Sequence, residues 1–483
     1  MEKIRTRFAP SPTGFMHIGN LRTCLYAYLY ARKNNGTFIL RIEDTDQERY
    51  VEGAVDVIYK TLATAGIVHD EGPDKDGGFG PYVQSERKSV YMEYARKLVE
   101  TGAAYYCFCT KERLETLEVV GGVRKYDKHC LHLSKEEVAS RLAAGEQFVI
   151  RQNIPSGDGA SEYDDLVFKH ISVPFADMED NILIKSDGMP TYNFANVVDD
   201  HLMAINCVIR GVEYLSSTPK YNLLYDAFGW QRPVYMHLAP IMKDAQRKLS
   251  KRYGDANFDD FIRKGYLPQA IVNYIALLGW CPKNNQEKMT MDELIEQFDV
   301  DGISHSSSIF DEAKMRWLNG EYIKELPIEK FVEYATPYLN QSKVAGKYDY
   351  FKLAKLLSSR TEIFSEIPEK VNFLEEFGEF DTMMFENKKM KVTREIALVA
   401  LQKCQQVLQN ENDWADEHLK EVVGQIASEL ACKSGQVYLP LRLALTGVAS
   451  TPGGATEMAE LLGKEESLRR LDCSVEMLKK ALA

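Results

Sequence analysis

Apolar and polar positions follow three textures along this chain, and each predicts its own kind of structure. Ile4 to Phe8 is a short strand-like run that ends at the turn-rich Ala9-Pro-Ser-Pro-Thr-Gly14, after which Leu21, Leu25, Tyr28 and Leu29 fall at helical spacing. Thr37 to Ile42 is apolar or β-branched nearly throughout, as in a strand covered on both faces. A strand, a helix and a second strand in that order predict a βαβ unit with parallel strands. Helical patterns follow at Val55 to Ala65 and Ser85 to Glu100.

From about residue 101 the texture is mixed. Tyr105-Tyr-Cys-Phe-Cys109, a charged helical stretch, a Gly-Gly pair at 121 and 122, and short apolar runs at Phe148 to Ile150 and Asn181 to Ile184 predict an inserted α+β segment. Strands of the first kind return at Cys207 to Arg210 and Val234 to Leu238, so the insertion splits an α/β domain. Beyond about 254 strands fade. A helix starts near Pro268 and stops at Gly279, and later segments keep helical spacing with charged outer faces. The expected boundaries are 1–100 and 206–255 for the two halves of the α/β domain, 101–205 for the insertion, and 256–325 and 326–483 for helical domains.

Composition narrows the class. In 483 residues, 45% hydrophobic and 27% charged positions exclude wholesale disorder, collagen and coiled coil. No apolar segment follows the charged first eight residues, and no run of about 18 apolar residues occurs, so a soluble, cytoplasmic protein outside membranes is expected. The 59 Lys and Arg against 71 Asp and Glu give a net charge of −12, which speaks only weakly against nucleic acid because polyanion binding needs just one basic face. Nine cysteines, an odd number, do not make a disulfide framework. Cys24, Cys207, Cys281, Cys404, Cys432 and Cys473 are expected in the core.

Two stretches suit phosphate chemistry. Pro12-Thr-Gly-Phe-Met-His-Ile-Gly-Asn20 joins the first strand to the first helix, where free N–H groups and the positive end of the helix dipole favour an anion. Gly19 would allow close approach to the backbone, and His17 is either a donor to phosphate oxygens or simply a cap on the helix. Lys248-Leu-Ser-Lys-Arg252, in a segment that also carries Lys243 and Arg247, predicts a cationic loop matched to a transferring phosphoryl group or else a solvated surface run. No G-x-x-x-x-G-K-[ST] occurs, so a P-loop is excluded.

In this order, on either side of an insertion, the two stretches resemble the HIGH and KMSKS signatures of class I aminoacyl-tRNA synthetases. Arg7-Phe-Ala-Pro-Ser-Pro-Thr-Gly14, Leu40-Arg-Ile-Glu-Asp-Thr-Asp46, Asp187-Gly-Met-Pro-Thr-Tyr-Asn-Phe-Ala-Asn196, Arg210-Gly-Val-Glu213 and the Gly265 to Trp280 helix are similar to the glutamyl-tRNA synthetase family, and Leu441 to Gly447 with Leu462-Gly-Lys464 fit its bacterial form. The resemblance implies a split Rossmann-like catalytic domain, an inserted α+β domain that binds the acceptor stem, and all-α C-terminal anticodon-binding domains. Three positions depart from the pattern. Asn20 replaces the second His of HIGH and can donate but carries no charge; Leu249 and Arg252 replace Met and Ser of KMSKS and leave both lysines in place.

The resemblance further implies that Arg7, Ser11, Glu43, Tyr192, Asn196 and Arg210 bind glutamate, and that His17, Gly19, Asn20, Lys248 and Lys251 serve catalysis, with His17, Gly19 and Lys251 on ATP. Arg suits a side-chain carboxylate and Glu43 suits the α-ammonium. Arg5 and Arg7 share one strand face, so period alone does not choose between them. Read without the family, Tyr192 and Asn196 are one helix face in a core or on a surface.

Cys107-x-Cys109 and Cys130-x-His132 supply three thiols and an imidazole, a tetrahedral zinc set with paired ligands, and resemble the C-x-C…C-x-H site of some bacterial glutamyl enzymes. His129 is an alternative fourth ligand, and three buried cysteines near a histidine are the plainer alternative. Asn387-Lys-Lys-Met-Lys-Val-Thr-Arg394 is a basic tract that reads as solvated surface or as a phosphate contact. The function implied is ATP-dependent ligation of L-glutamate to the 3′ end of tRNA through glutamyl-adenylate, in protein synthesis, by a monomer using Mg²⁺ with ATP and a structural Zn²⁺. Rival readings are a glutaminyl enzyme, which the helical C-terminus disfavours; a truncated paralogue, which lacks that half; and a non-catalytic RNA-binding adaptor, which would not need His17, Lys248 and Lys251.

Overall fold

The computed structural model describes residues 3–46, 49, 51–120, 123–249 and 257–483. It separates into two compact units, one of residues 1–262 and 268–312, the other of 263–267 and 313–483.

In the first unit β1 (Arg5–Phe8), α1 (Ile18–Lys33) and β2 (Thr37–Leu40) form the predicted βαβ unit, with Arg5 opposite Thr37 and Phe8 opposite Leu40 in parallel register. Helix α1 starts where His17, in extended backbone, turns its Nδ1 to accept from Gly19 N at 3.0 Å, and it ends on Arg32 and Lys33 beside the exposed carbonyls. Most of its surface is buried, because Tyr26 donates to Ala276 O (2.9 Å) and Arg22 to Leu278 O (2.8 Å) and to Ala239 O, tying it to the helix Pro268–Leu277 on one side while Thr6 of β1 donates to Ala27 O on another.

The returning strands pair as predicted and gain a partner. β3 (Ala160–Asp165) and β4 (Lys169–Pro174) form an antiparallel hairpin, α2 (Tyr192–Leu202) follows, and β5 (Cys207–Gly211), α3 (Thr218–Phe228) and β6 (Val234–Leu238) complete a sheet of order β5-β6-β3-β4. β5 and β6 run parallel from Cys207 opposite Val234 to Gly211 opposite Leu238, and Asp165 of β3 lies opposite Tyr235. The stretch expected as an insertion thus contributes a hairpin to this sheet. Ala160-Ser-Glu-Tyr-Asp-Asp165 does alternate, but its inward face is Ser161, Tyr163 and Asp165 rather than aliphatic. The rest of that stretch holds the antiparallel strands Ala104–Cys107, Val149–Gln152 and Ile182–Ile184, whose Ala104, Ile150 and Leu183 share a core with Phe194 and Val197 of α2.

Among its described residues the second unit is helical. Arg394–Leu408, Asp416–Glu429, Gly435–Thr446, Ala455–Leu462 and Lys464–Leu482 close around Leu401, Cys404, Val423, Leu441 and Leu471. The basic tract forms a tight hairpin in which Asn387 and Val392 exchange backbone hydrogen bonds of 3.0 Å, leaving Lys388, Lys389 and Lys391 exposed. Among the described residues no helix is long and apolar enough to cross a membrane.

The βαβ corner allows little volume at Gly36. A Cβ there would stand 2.4 Å from Ile4 O and 3.1 Å from Ala31 O, both backbone atoms that cannot swing aside. Gly36→Ala should therefore cost about 1–3 kcal/mol of stability, read as a lower denaturant midpoint with an unchanged m-value.

Candidate active site

Strand β1, the residues just after β2, and helix α2 bring together a buried group of charges. Arg7 grips Asp200 with Nε to Oδ1 at 3.0 Å and Nη2 to Oδ2 at 3.3 Å. Arg41, wholly buried, reaches Asp200 with Nη1 at 2.8 Å and Glu43 with Nη2 at 2.9 Å and Nε at 3.2 Å. Arg87 holds Asp199 at 2.7 Å, and Gln84 and Tyr91 each donate to the same carboxylate at 2.8 Å. Three guanidinium groups thus face three carboxylates, so the group is neutral, as burial of charge demands. Burial pushes the Glu43 carboxyl above its ordinary value while Arg41 and Arg7 pull it back. For Asp200 burial also pushes upward, but Arg7 and Arg41 outweigh it and hold the carboxyl below its ordinary value.

Arg210 on β5 is a different case. It is buried, yet among the described residues no carboxylate lies within ion-pair distance of it. Its Nε donates to His237 Nε2 at 3.2 Å and its Nη2 to Thr218 Oγ1 at 2.6 Å, while its Cζ stands 4.9 Å from the ring centre of Tyr221, 5.2 Å from Tyr214 and 5.4 Å from Tyr235. Aromatic faces attract a cation without neutralising it. Tyr192 joins this wall, its ring 5.3 Å from that of Tyr214, and Asn196 donates to Tyr192 O at 2.7 Å.

The other expected residues divide. Ser11 and Asn20 are exposed, with Asn20 in the first turn of α1. His17 is the cap of that helix; because its Nδ1 accepts from Gly19, the neutral ring carries its proton on Nε2. Gly19 leaves room for this ring, since a Cβ would meet Nδ1 at 3.2 Å. Lys248 is exposed and bridges to Met242 across a turn in which Lys243 N donates to Arg247 O. Lys251 and Arg252 lie outside the described residues.

The metal set is brought together only in part. The sulfurs of Cys107, Cys109 and Cys130 all lie within 4.8 Å of one another, with Cys109 and Cys130 at 3.5 Å. His132, at the end of the short turn His129–His132, is exposed and outside that group, and so is His129. What stands beside the sulfurs is Tyr126, a residue the sequence reading missed. Its hydroxyl is 3.3 Å from Cys107 Sγ, 3.4 Å from Cys109 Sγ, and accepts from Cys130 N at 3.1 Å. Hydrogen bonds from Cys130 and Tyr126 draw the Cys107 thiol down to about 4, so one thiolate is favoured. A tyrosine four residues before a cysteine was the available signal.

A parallel strand pair with a capped helix at its edge stands here beside a buried group of matched charges, and the family of the chain follows from its similarity to known proteins. The catalytic domain of class I tRNA synthetases for E and Q matches residues 3–317, and an anticodon binding domain matches residues 330–475. Glutamate–tRNA ligase of Clostridium novyi (strain NT) is 56% identical over 100% of this chain and 99% of its own, and that of Clostridium tetani (strain Massachusetts / E88) is 55% identical over 99% and 98%. The crystal structure of glutamate–tRNA synthetase from Elizabethkingia anophelis superposes with a TM-score of 0.89 at 34% identity, covering 98% of this chain and 100% of that one. A glutamate–tRNA ligase from Elizabethkingia meningosepticum, in complex with its amino acid, gives the same score and identity over 99% and 100%. The chain belongs to the glutamate–tRNA ligase family, and its activity is ATP-dependent glutamylation of tRNA.

Asp200→Asn should leave Arg7 and Arg41 short of one negative charge and cost about 3–5 kcal/mol in chemical denaturation. Because the Asp200 pKa is depressed, its contribution is complete above the ordinary aspartate range and lost as pH falls through the lower folded value. The variant should lack that part of the acid limb of a stability–pH profile.

Proposed function

We propose that Arg210 reads the side-chain carboxylate of glutamate, Glu43 its α-ammonium, and Tyr192 and Asn196 the wall between them. The observation that carries this reading is the contrast between two arginines: Arg7 already has Asp200, whereas among the described residues Arg210 has only neutral acceptors and ring faces. An anionic side chain supplies the missing charge, and the neutral amide of glutamine does not. Arg7 then acts by holding Asp200 and, through it, Arg41 against Glu43. Ser11, exposed next to Pro10 whose carbonyl accepts from Glu43 N at 3.0 Å, is the further residue assigned to glutamate.

On the ATP side, His17 donates from Nε2, Gly19 permits close approach, and Lys248 with Lys251 supplies positive charge to the triphosphate, with Asn20 as a neutral donor at the rim. Mg²⁺ bound with ATP would add positive charge against the phosphates. A glutamate α-carboxylate oxygen attacks the α-phosphorus and the bond to pyrophosphate breaks; the terminal ribose hydroxyl of tRNA then attacks the acyl carbon and AMP leaves. No protein nucleophile is needed, so the side chains act by positioning and charge stabilisation. Acceptor-stem contact is assigned to the 101–205 insertion and anticodon contact to the helical unit, with Lys388, Lys389 and Lys391 as phosphate contacts.

Cys107, Cys109 and Cys130 are the ligands of a structural Zn²⁺. Tetrahedral zinc with Zn–S near 2.3 Å sets sulfurs about 3.8 Å apart and an oxygen ligand about 3.5 Å from each. The sulfur spacing and the 3.3–3.4 Å approach of Tyr126 to Cys107 and Cys109 fit that figure, so Tyr126 takes the fourth place that His132 was expected to fill. Arg151, with its Cζ 4.3 Å from the Tyr126 ring centre, offsets the negative charge.

Arg210→Gln should raise KM for glutamate by about 100-fold or more, as expected when a charge-assisted contact is lost, with KM for ATP unchanged in pyrophosphate exchange with tRNA present. Unchanged glutamate kinetics would place the carboxylate reader elsewhere. Protein purified without chelator should hold about one zinc per chain. Tyr126→Phe should release it to a chelator faster than wild type, and His132→Ala should not; the reverse order would restore the histidine.

A further inference from the structure

Behind Arg210 lies a line of buried polar groups that the reaction as described does not use. Asp165, at the end of β3, accepts from Val167 N (2.9 Å) and Phe168 N (2.8 Å) on Oδ1, and from His237 N (3.1 Å) on Oδ2. The same Oδ2 is 2.7 Å from His237 Nδ1. His237 is wholly buried on β6, and its Nε2 stands 3.2 Å from Arg210 Nε. Thr218, also wholly buried, donates to Tyr214 O at 2.8 Å and so meets Arg210 Nη2 as an acceptor.

These contacts, with Thr218 Oγ1 also 3.2 Å from His237 Nε2, leave one consistent placement of the imidazole proton. Asp165 can only accept, so Nδ1 of His237 carries the hydrogen; Arg210 can only donate, so Nε2 is bare. Burial and the Arg210 cation hold the imidazole below its ordinary pKa against the pull of Asp165, which keeps Nε2 bare at neutral pH. The Nε/Nη2 edge of the guanidinium is then fully occupied by His237 and Thr218, and among the described residues Nη1 has no protein acceptor. The end of the fork formed by Nη1 and Nη2 is what remains for a planar anion.

We propose that Asp165 and His237 are positioning residues for glutamate: they lock the side edge of Arg210 and so aim its end edge at the substrate's side-chain carboxylate. This rests on the assignment of Arg210 above. The negative charge of Asp165 reaches Arg210 only through the imidazole, so the guanidinium is oriented without being neutralised. A carboxylate in direct contact would orient it equally well but would compete with the substrate, as Asp200 does at Arg7.

Two substitutions at one position test this. His237→Gln can place a carbonyl oxygen near Nε2 and keep the acceptor for Arg210, whereas His237→Asn keeps a group near Nδ1 for Asp165 and removes that acceptor. His237→Asn should raise KM for glutamate about 10- to 100-fold, the scale of a hydrogen bond to a charged group, with kcat less affected and KM for ATP unchanged. His237→Gln should restore most of the loss. Wild-type glutamate KM in His237→Asn, or equal losses in both variants, would overturn the proposal. Arg210→Gln measured alongside separates the two levels: a raised KM there with none in His237→Asn rejects the positioning line alone, and no effect at Arg210 rejects the carboxylate reader itself. Nitrogen-15 histidine spectra of the wild-type protein, assigned by difference from His237→Gln, give a second reading that does not depend on either variant's kinetics. The neutral Nδ1–H form is expected for His237, and the Nε2–H form would contradict the proposal.

Discussion

The site depends on how four buried arginines are matched. Arg7, Arg41 and Arg87 meet Asp200, Glu43 and Asp199, and each carboxylate is fixed by more than one donor. A buried ion pair adds little net stability, but removing either member is costly, so such a group is held in one geometry by the penalty of disturbing it. That rigidity joins β1, the segment after β2 and helix α2 at a single point. Of the four, Arg210 stands outside the group, and on the proposed reading it is the place where a negative charge is still wanted. On the same proposed reading, discrimination for an acidic amino acid follows from a balance of charges before any detail of shape is considered.

The same economy appears at the ends of the elements. His17 caps α1 through Nδ1, which puts the proton of the neutral ring on Nε2, so its structural role is compatible with the one proposed for it. Tyr126 similarly hydrogen-bonds the backbone of Cys130 while its oxygen faces two sulfurs. In both cases a local hydrogen bond to the backbone fixes the orientation of the side chain.

The split α/β architecture, the helical C-terminal half and the family were legible in the sequence because they rest on period, on Gly and Pro punctuation and on motifs of adjacent residues. Arg7, Glu43 and Arg210 stood out for the same reason. Their partners did not. Asp199 and Asp200 form an acidic pair near the end of a helix, a pattern that reads as surface, and their burial follows from contacts to Arg87 and Arg7 made 112 and 193 residues away along the chain. Asp165 sits on a strand whose inward face is polar, so no apolar alternation announces it. His132 was attractive by spacing and by likeness to a C-x-C…C-x-H site, yet the turn that carries it leaves the ring in solvent while the ring of Tyr126 lies against Arg151 beside the sulfurs. Spacing finds ligands that share a loop, and it does not tell which way the loop turns.

The central claim is that Arg210, and not Arg7, receives the substrate's side-chain carboxylate because Arg7 is already matched. The most direct measurement is a crystal structure of this protein with glutamate bound. The account predicts the side-chain carboxylate on the Nη1/Nη2 end of Arg210, the α-ammonium on Glu43, and the Arg7–Asp200 pair unbroken at its present 3.0 Å. A carboxylate seated on Arg7 with Asp200 displaced, and Arg210 left facing its tyrosines, would contradict it.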